Sequence, residues 1–222
     1  MTSKTLGEVT IPDDESIPGD VEAGTENGTG TPSDSTTGKE PTAHTEMQYL
    51  LLKLGSDMGL NVWVATGDRG KEWLGSRFDS IPSCLSDLPI AFDDATNRMV
   101  RNIDVLWLDG NSIQAAFEIE STTSIYSGLL RMSDLLSMQP NLNIPLFIVA
   151  PDERRGKVIA EVNRATFLRL KPRLVDICRY IPFSSLRELR DHMANAPSYI
   201  QVRYLRPDFV QEISESCEPE GL

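Results

Sequence analysis

The sequence predicts an α/β fold, a mixed sheet with helices on both sides, and three observations carry that prediction. The stretch Ile103 to Glu120, IDVLWLDGNSIQAAFEIE, reads as two strands reversing around Asp109-Gly110-Asn111-Ser112, since Asp-Gly and Gly-Asn between apolar runs are strong turn signals. Apolar residues at helical spacing flank it: Met47, Leu50, Leu51, Leu54 and Met58 before, Ile125, Leu129, Met132 and Leu136 after. Short continuous apolar runs, Asn61 to Ala65 and Ile144 to Ala150, read as buried strands.

Taken in order, residues 1–43 are Gly, Thr, Ser, Pro, Asp and Glu with almost no aliphatic clustering. Such a composition buries too little apolar surface to offset chain entropy, so a disordered acidic tail is expected there. A domain follows over 44–206, opening with a helix that stops at Gly59, then the strand 61–65. Residues 66–100, rich in Gly, Pro and Asp and carrying Trp73, Arg69, Lys71 and Arg77, read as a long irregular insertion. After the hairpin come a helix from about Ser124 to Ser137 and the strand 144–150. A helix capped by Asp152 is expected to about Thr166, then a strand from Val175 to Ile181. Ser185 with Glu188 forms a capping-box pattern for a helix to about Met193, and Tyr199 to Leu205 alternates weakly as an edge strand. Residues 207–222 read as an acidic C-terminal tail.

At 222 residues the chain has room for one ordinary core. Cys84, Cys178 and Cys217 are odd in number and widely spaced, which indicates reduced thiols in a cytoplasm. Two histidines, His44 and His192, give little support to a zinc cluster or a Ser-His-Asp triad. No apolar run is long enough to span a bilayer, and the N-terminus does not resemble a secretory signal. The net charge of −12 is uneven. Residues 44–150 carry thirteen acids against seven bases, while 151–206 carry twelve bases against six acids. An acidic half beside a basic half suits a metal-dependent enzyme acting on a polyanion; averaged surface charge is the plainer alternative.

The acids on the hairpin sharpen this. Glu118 and Glu120 share one strand face while Phe117 and Ile119 take the other. With a three-residue loop and a bulge, Asp104 joins them, and the shared face reads Asp104, Leu106, Leu108, Ala116, Glu118, Glu120. A loop of two or four residues would place Asp104 on the opposite face. Three carboxylates at one end of an apolar hairpin repel, and a bound cation is the usual compensation.

This order of elements, with Asp104 on one strand and Glu118 two residues before Glu120 on the next, resembles the core of the restriction endonuclease-like, or PD-(D/E)xK, nuclease superfamily, in a Glu-x-Glu variant. The segment FEIESTTSIYSGLLRMSDLL also looks like bacterial proteins of that superfamily. Position 103 is Ile where the motif has Pro, and position 120 is Glu where it has Lys. The resemblance implies hydrolysis of DNA phosphodiester bonds with Mg2+ or Mn2+, in bacterial or phage defence. It implies Asp104, Glu118 and the carbonyl of Ile119 as metal ligands, Glu120 holding water or a second metal, and Glu46 reaching the metal through water. Arg154, Arg155 and Lys157, with Arg131, are the candidate phosphate contacts, although a structural pair with Asp134 or Glu118 is the better-founded role for Arg131. DNA is the expected partner, and a homodimer suits cutting of both strands. The alternative is an inactive nuclease-fold module that binds nucleic acid or a protein.

Overall fold

The structure is a computed structural model, describing residues 42–89, 94–121, 125–138, 144–195 and 209–219, all within one compact unit. The expected N-terminal tail and the edge strand at 199–205 lie outside these residues.

Helix α1, Ala43–Asp57, starts where Thr42 accepts the Thr45 N–H on its hydroxyl at 3.3 Å, and ends before Gly59, whose φ of +79° suits glycine. Strand β1, Asn61–Val64, follows. The region read as an irregular insertion is instead locally ordered. It holds a helical turn at Thr66–Asp68, a small hairpin of β2 (Glu72–Trp73) and β3 (Ser76–Arg77), a turn at Phe78–Ser80 and helix α2, Asp94–Val100. Phe78, Ile81 and Val100 are buried, so this segment packs rather than loops outward. Polar composition concealed those anchors.

Strands β4 (Val105–Asp109) and β5 (Ser112–Ile119) form the expected hairpin, and helix α3 spans Ile125–Met138. Strand β6 is Leu146–Ala150. The helix expected from 152 to 166 is broken into a turn at Asp152–Arg154, α4 (Arg155–Val162) and α5 (Ala165–Leu168). Arg164 has extended backbone between the last two, and Asn163 donates its amide to the carbonyls of Ile159 and Cys217, each at 2.8 Å. Residues Leu174–Ile177 form a helical turn, α6, so strand β7 begins only at Cys178 and runs to Pro182. Helix α7, Phe183–Asn195, starts two residues before the expected cap, and its cap comes from elsewhere: Asp152 accepts from the Ser184 N–H at 3.2 Å and from the Ser184 hydroxyl. The expected acidic C-terminal tail is corrected too. Phe209–Glu212 is a helical turn, Glu215–Ser216 is strand β8, and Val210 and Cys217 are buried.

The sheet order is β1-β4-β5-β6-β7-β8. Pairs β1/β4, β4/β5 and β7/β8 are antiparallel, while β5/β6 and β6/β7 are parallel. The α/β class with a mixed, helix-flanked sheet is therefore present. Alternation divides the core. Val105, Trp107, Phe117, Ile119, Phe147 and Val149 lie on the side of α1 and α7; Leu106, Leu108, Ala116, Leu146 and Ile148 lie on the side of α3 and α4. Each such large side chain contributes about 1.5–3 kcal/mol of burial.

Candidate active site

The hairpin register decides whether the acids meet. Val105 pairs with Phe117 and Leu106 with Ala116, whereas Leu108 pairs with Ile113. The loop itself is two residues, Gly110-Asn111, with Gly110 at φ +55°. Gln114 is the extra residue, a bulge between the pairs Trp107–Ala115 and Leu108–Ile113. The bulge supplies the one-residue offset that the turn does not. Asp104 consequently stands opposite Glu118, as the shared face required.

Those acids lie where β4 begins and β5 ends, at the carboxyl end of the parallel strands β5, β6 and β7. This is the end of an open α/β sheet where ligands are usually met. Asp104 and Glu120 are each 8% exposed and Glu118 is fully buried. Asp104 accepts the Ile119 N–H on Oδ2 at 2.7 Å. Glu120 accepts the Gly128 N–H on Oε1 at 3.1 Å. Glu118 takes both its hydrogen bonds from Arg131 of α3, Nε to Oε1 at 2.8 Å and Nη2 to Oε2. The same Nη2 is 4.0 Å from Glu120. Of the two roles expected of Arg131, the pair with Glu118 is formed, a forked ion pair that offsets part of the acidic charge.

Gly128 makes this approach possible. A Cβ there would sit 2.6 Å from Glu120 Oε1 and 3.2 Å from Glu118 Cβ. Burial pushes the Asp104 carboxyl above its ordinary range, with His44, the Ile119 N–H and Arg131 opposing. Burial also raises Glu118, against the hydrogen bonds from Arg131 and reinforced by Asp104. Glu120 is pushed up to about 7, first by burial and then by Asp104. In return Glu118 holds the Arg131 guanidinium firmly charged.

Glu46, expected to reach this site, does not join it. It accepts from Arg187 at 3.1 and 2.6 Å and lies 3.5 Å from Arg190, tying α1 to α7. The sequence reading missed His44 and Asp68, which come together with Asp104: one ligand atom from each lies within 4.8 Å of the others. Helical rotation explains both outcomes. Glu46 is about 200° around α1 from His44, while Gln48, one turn on, shares the face of His44. Asp68 arrives because the Ala65 N–H donates to the Asp104 carbonyl at 3.2 Å, fastening the turn 66–68 beside it. A β1–β4 pairing inferred from sequence was the signal that could have found it.

Of the basic cluster, Arg154 lies near enough to Glu120 to lower its pKa, and Arg155 is paired with Glu215 of β8 at 2.5 Å, a structural partner the sequence did not reveal. Lys157 is exposed on α4. Among the described residues no helix is long and apolar enough to cross a membrane.

A sequence model of the type II restriction enzyme NmeDI C-terminal domain matches residues 28–217. The chain is also 31% identical over 152 residues to the type II restriction enzyme NmeDI of Neisseria meningitidis serogroup C, a match covering 66% of this chain and 42% of that protein. No solved structure matches it. The chain spans less than half of that relative, yet the domain match covers most of its own length. The protein belongs to the NmeDI C-terminal domain family of type II restriction enzymes.

Proposed function

We propose that the chain is a metal-dependent DNA endonuclease acting in bacterial or phage defence, with a restriction endonuclease-like core of the Glu-x-Glu form. The observation that carries this reading is the meeting of Asp104, Glu118 and Glu120 at one end of the sheet, in a chain of a restriction-enzyme family. The donor set fits a hard divalent cation. Buried carboxylates raised by desolvation and mutual repulsion gain most from a positive ion, and carboxylate oxygens are what Mg2+ or Mn2+ prefers.

Asp104 and Glu118, with the Ile119 carbonyl, would hold the ion. Once bound, it supplies a Lewis acid for the phosphate and a water of lowered pKa. The chain does the rest by position. The Ile119 N–H fixes Asp104 across the hairpin. The Gly128 N–H fixes Glu120 through Oε1, leaving Oε2 to take a proton from water; a value near 7 suits that task. Arg131 supplies from α3 the positive charge that position 120 lacks, and it would share the Glu118 carboxylate with an ion held there. Arg154, close to Glu120, is the base best placed to meet phosphate. A homodimer in the cytoplasm would bring two such sites to the two DNA strands.

The test is cleavage of plasmid and phage DNA in Mg2+ and Mn2+. Asp104→Ala or Glu118→Ala should lower cleavage about a thousandfold, on the order of 4 kcal/mol of barrier, while DNA affinity changes only a few-fold. Retained cleavage in both variants contradicts the assignment. One observation favours a second reading, a non-cutting module: Arg131 occupies both oxygens of Glu118. In that reading the native chain binds DNA or a protein and cuts with no divalent cation.

A further inference from the structure

We infer that His44, Asp68 and Asp104 form a cation position on the α1 side of the acidic site, suited to a metal that accepts nitrogen, with Mn2+ as its representative. In giving this ion to a phosphodiester-cleaving centre the inference rests on the reading above; the binding itself does not. The ligand atoms of the three lie within 4.8 Å of one another. Around one ion with bonds of about 2.1 Å, three ligands stand about 3.0–3.6 Å apart, so a pair at the 4.8 Å limit closes by about 1–2 Å, within reach of side-chain rotation. They come from separate parts of the chain: the first turn of α1, the helical turn Thr66–Asp68, and the residue before β4.

A second observation points to a ligand at this place. Gln48, one helical turn beyond His44, is fully buried, and its Nε2 donates to Asp68 Oδ2 at 2.7 Å. Its Oε1 is buried with no hydrogen-bond partner among the described residues. A buried amide with half its capacity unmet is costly. The amide that reaches Asp68 therefore carries, beside that contact, a carbonyl oxygen without a partner, a hard donor suited to a cation or its bound water. Asp68 Oδ1 meanwhile takes Lys71 Nζ at 2.7 Å. The ammonium stands where a cation is wanted and competes with it.

The imidazole sets the class of ion. Mg2+ and Ca2+ favour all-oxygen sites, whereas a mixed imidazole and carboxylate set suits Mn2+ and later divalent ions. The position therefore predicts different metal preferences at the two ends of Asp104, all-oxygen toward Glu118 and nitrogen-containing toward His44.

Mn2+ binding to the full chain, followed by the electron paramagnetic resonance of the ion, tests this. The native chain should bind Mn2+ and show modulation from a coordinated nitrogen. His44→Ala should abolish the nitrogen signature, and His44→Ala and Asp68→Asn should each weaken binding at least tenfold without lowering the melting temperature in chelator. Lys71→Ala, removing the competing ammonium, should tighten binding several-fold. The nitrogen signature should persist in Glu118→Gln. No Mn2+ bound by the native chain, or equal binding in His44→Ala and Asp68→Asn, overturns the site. Loss of all binding in Glu118→Gln with His44→Ala unaffected also overturns it, assigning the ion to Asp104 and Glu118 alone. Nitrogen-coordinated Mn2+ on a chain that leaves DNA intact supports this site and overturns the cleavage reading.

Discussion

The two faces of the β4–β5 hairpin are built from alternate residues of the same strands and closed by the same device, yet they do opposite things. On one face α1 comes down onto Trp107, whose indole N–H donates to the Leu51 carbonyl at 2.9 Å. Gly55 allows the approach, because a Cβ there would lie 2.5 Å from Trp107 and 2.6 Å from Val62. Trp107, Phe117 and Phe147 then follow ring on ring, at centroid distances of 4.6 and 5.1 Å. On the other face α3 comes down through Gly128 onto Glu118 and Glu120. One closure buries rings and the other buries charge. The dry face stabilises the hairpin by area and aromatic contact, and that stability lets the opposite face hold carboxylates together that would otherwise separate.

The sharpest way to break this comparison is to remove the guanidinium paired with Glu118. Arg131→Leu leaves Glu118 buried without its partner and should cost about 3 kcal/mol in chelator. Adding Glu118→Gln to Arg131→Leu should recover much of that loss, which chemical denaturation of the single and double variants will measure. An unchanged single variant would mean that the pair carries no weight.

The two glycines give the next largest effect. Gly55→Ala drives a methyl into an indole packed on the sheet and should destabilise by about 2 kcal/mol, with cleavage at low temperature retained. Gly128→Ala meets the far end of the Glu120 carboxylate, which can swing aside, and the Glu118 Cβ, which has to give by only a few tenths of an ångström, so about 1 kcal/mol is expected, with cleavage falling far more than stability. Equal losses of stability and cleavage in both variants would erase the distinction between the faces.

A further difference between the faces is in pH dependence. In chelator, folded Glu120 keeps a proton up to about pH 7 that an ordinary carboxyl releases near 4.5. The unfolded chain binds fewer protons across that window, so stability should fall as pH rises through it. Glu120→Gln should flatten that part of the melting curve against pH. A slope unchanged by the substitution would place Glu120 in water, not in the site.

What the sequence made legible follows the same division. A period of two put Glu118 and Glu120 on one face and Phe117 and Ile119 on the other, because alternation is a local property of strands. The meeting of Asp104 with Glu118 was legible only as a condition on the offset. A bulge at Gln114 supplies it, and nothing in the residue itself announces a bulge. Arg131 was legible as one of two roles, and tertiary packing chose the ion pair. His44 and Asp68 were hidden because their place depends on β1 pairing with β4 and on one backbone bond to Asp104. Glu46 misled because an acid in a first helical turn says nothing of which way that turn faces.

On the proposed reading the acidic face would hold a metal and the aromatic face would not. Thermal melting of the native chain, Asp104→Asn and Glu118→Gln, in chelator and in Mg2+, tests it most directly. A cation that binds only the folded state should stabilise the native chain by about 2.7 kcal/mol at a hundred times its dissociation constant, and that gain should mostly vanish in both variants. If all three chains respond alike to Mg2+, or none responds, these carboxylates do not hold a metal and the cleavage reading falls.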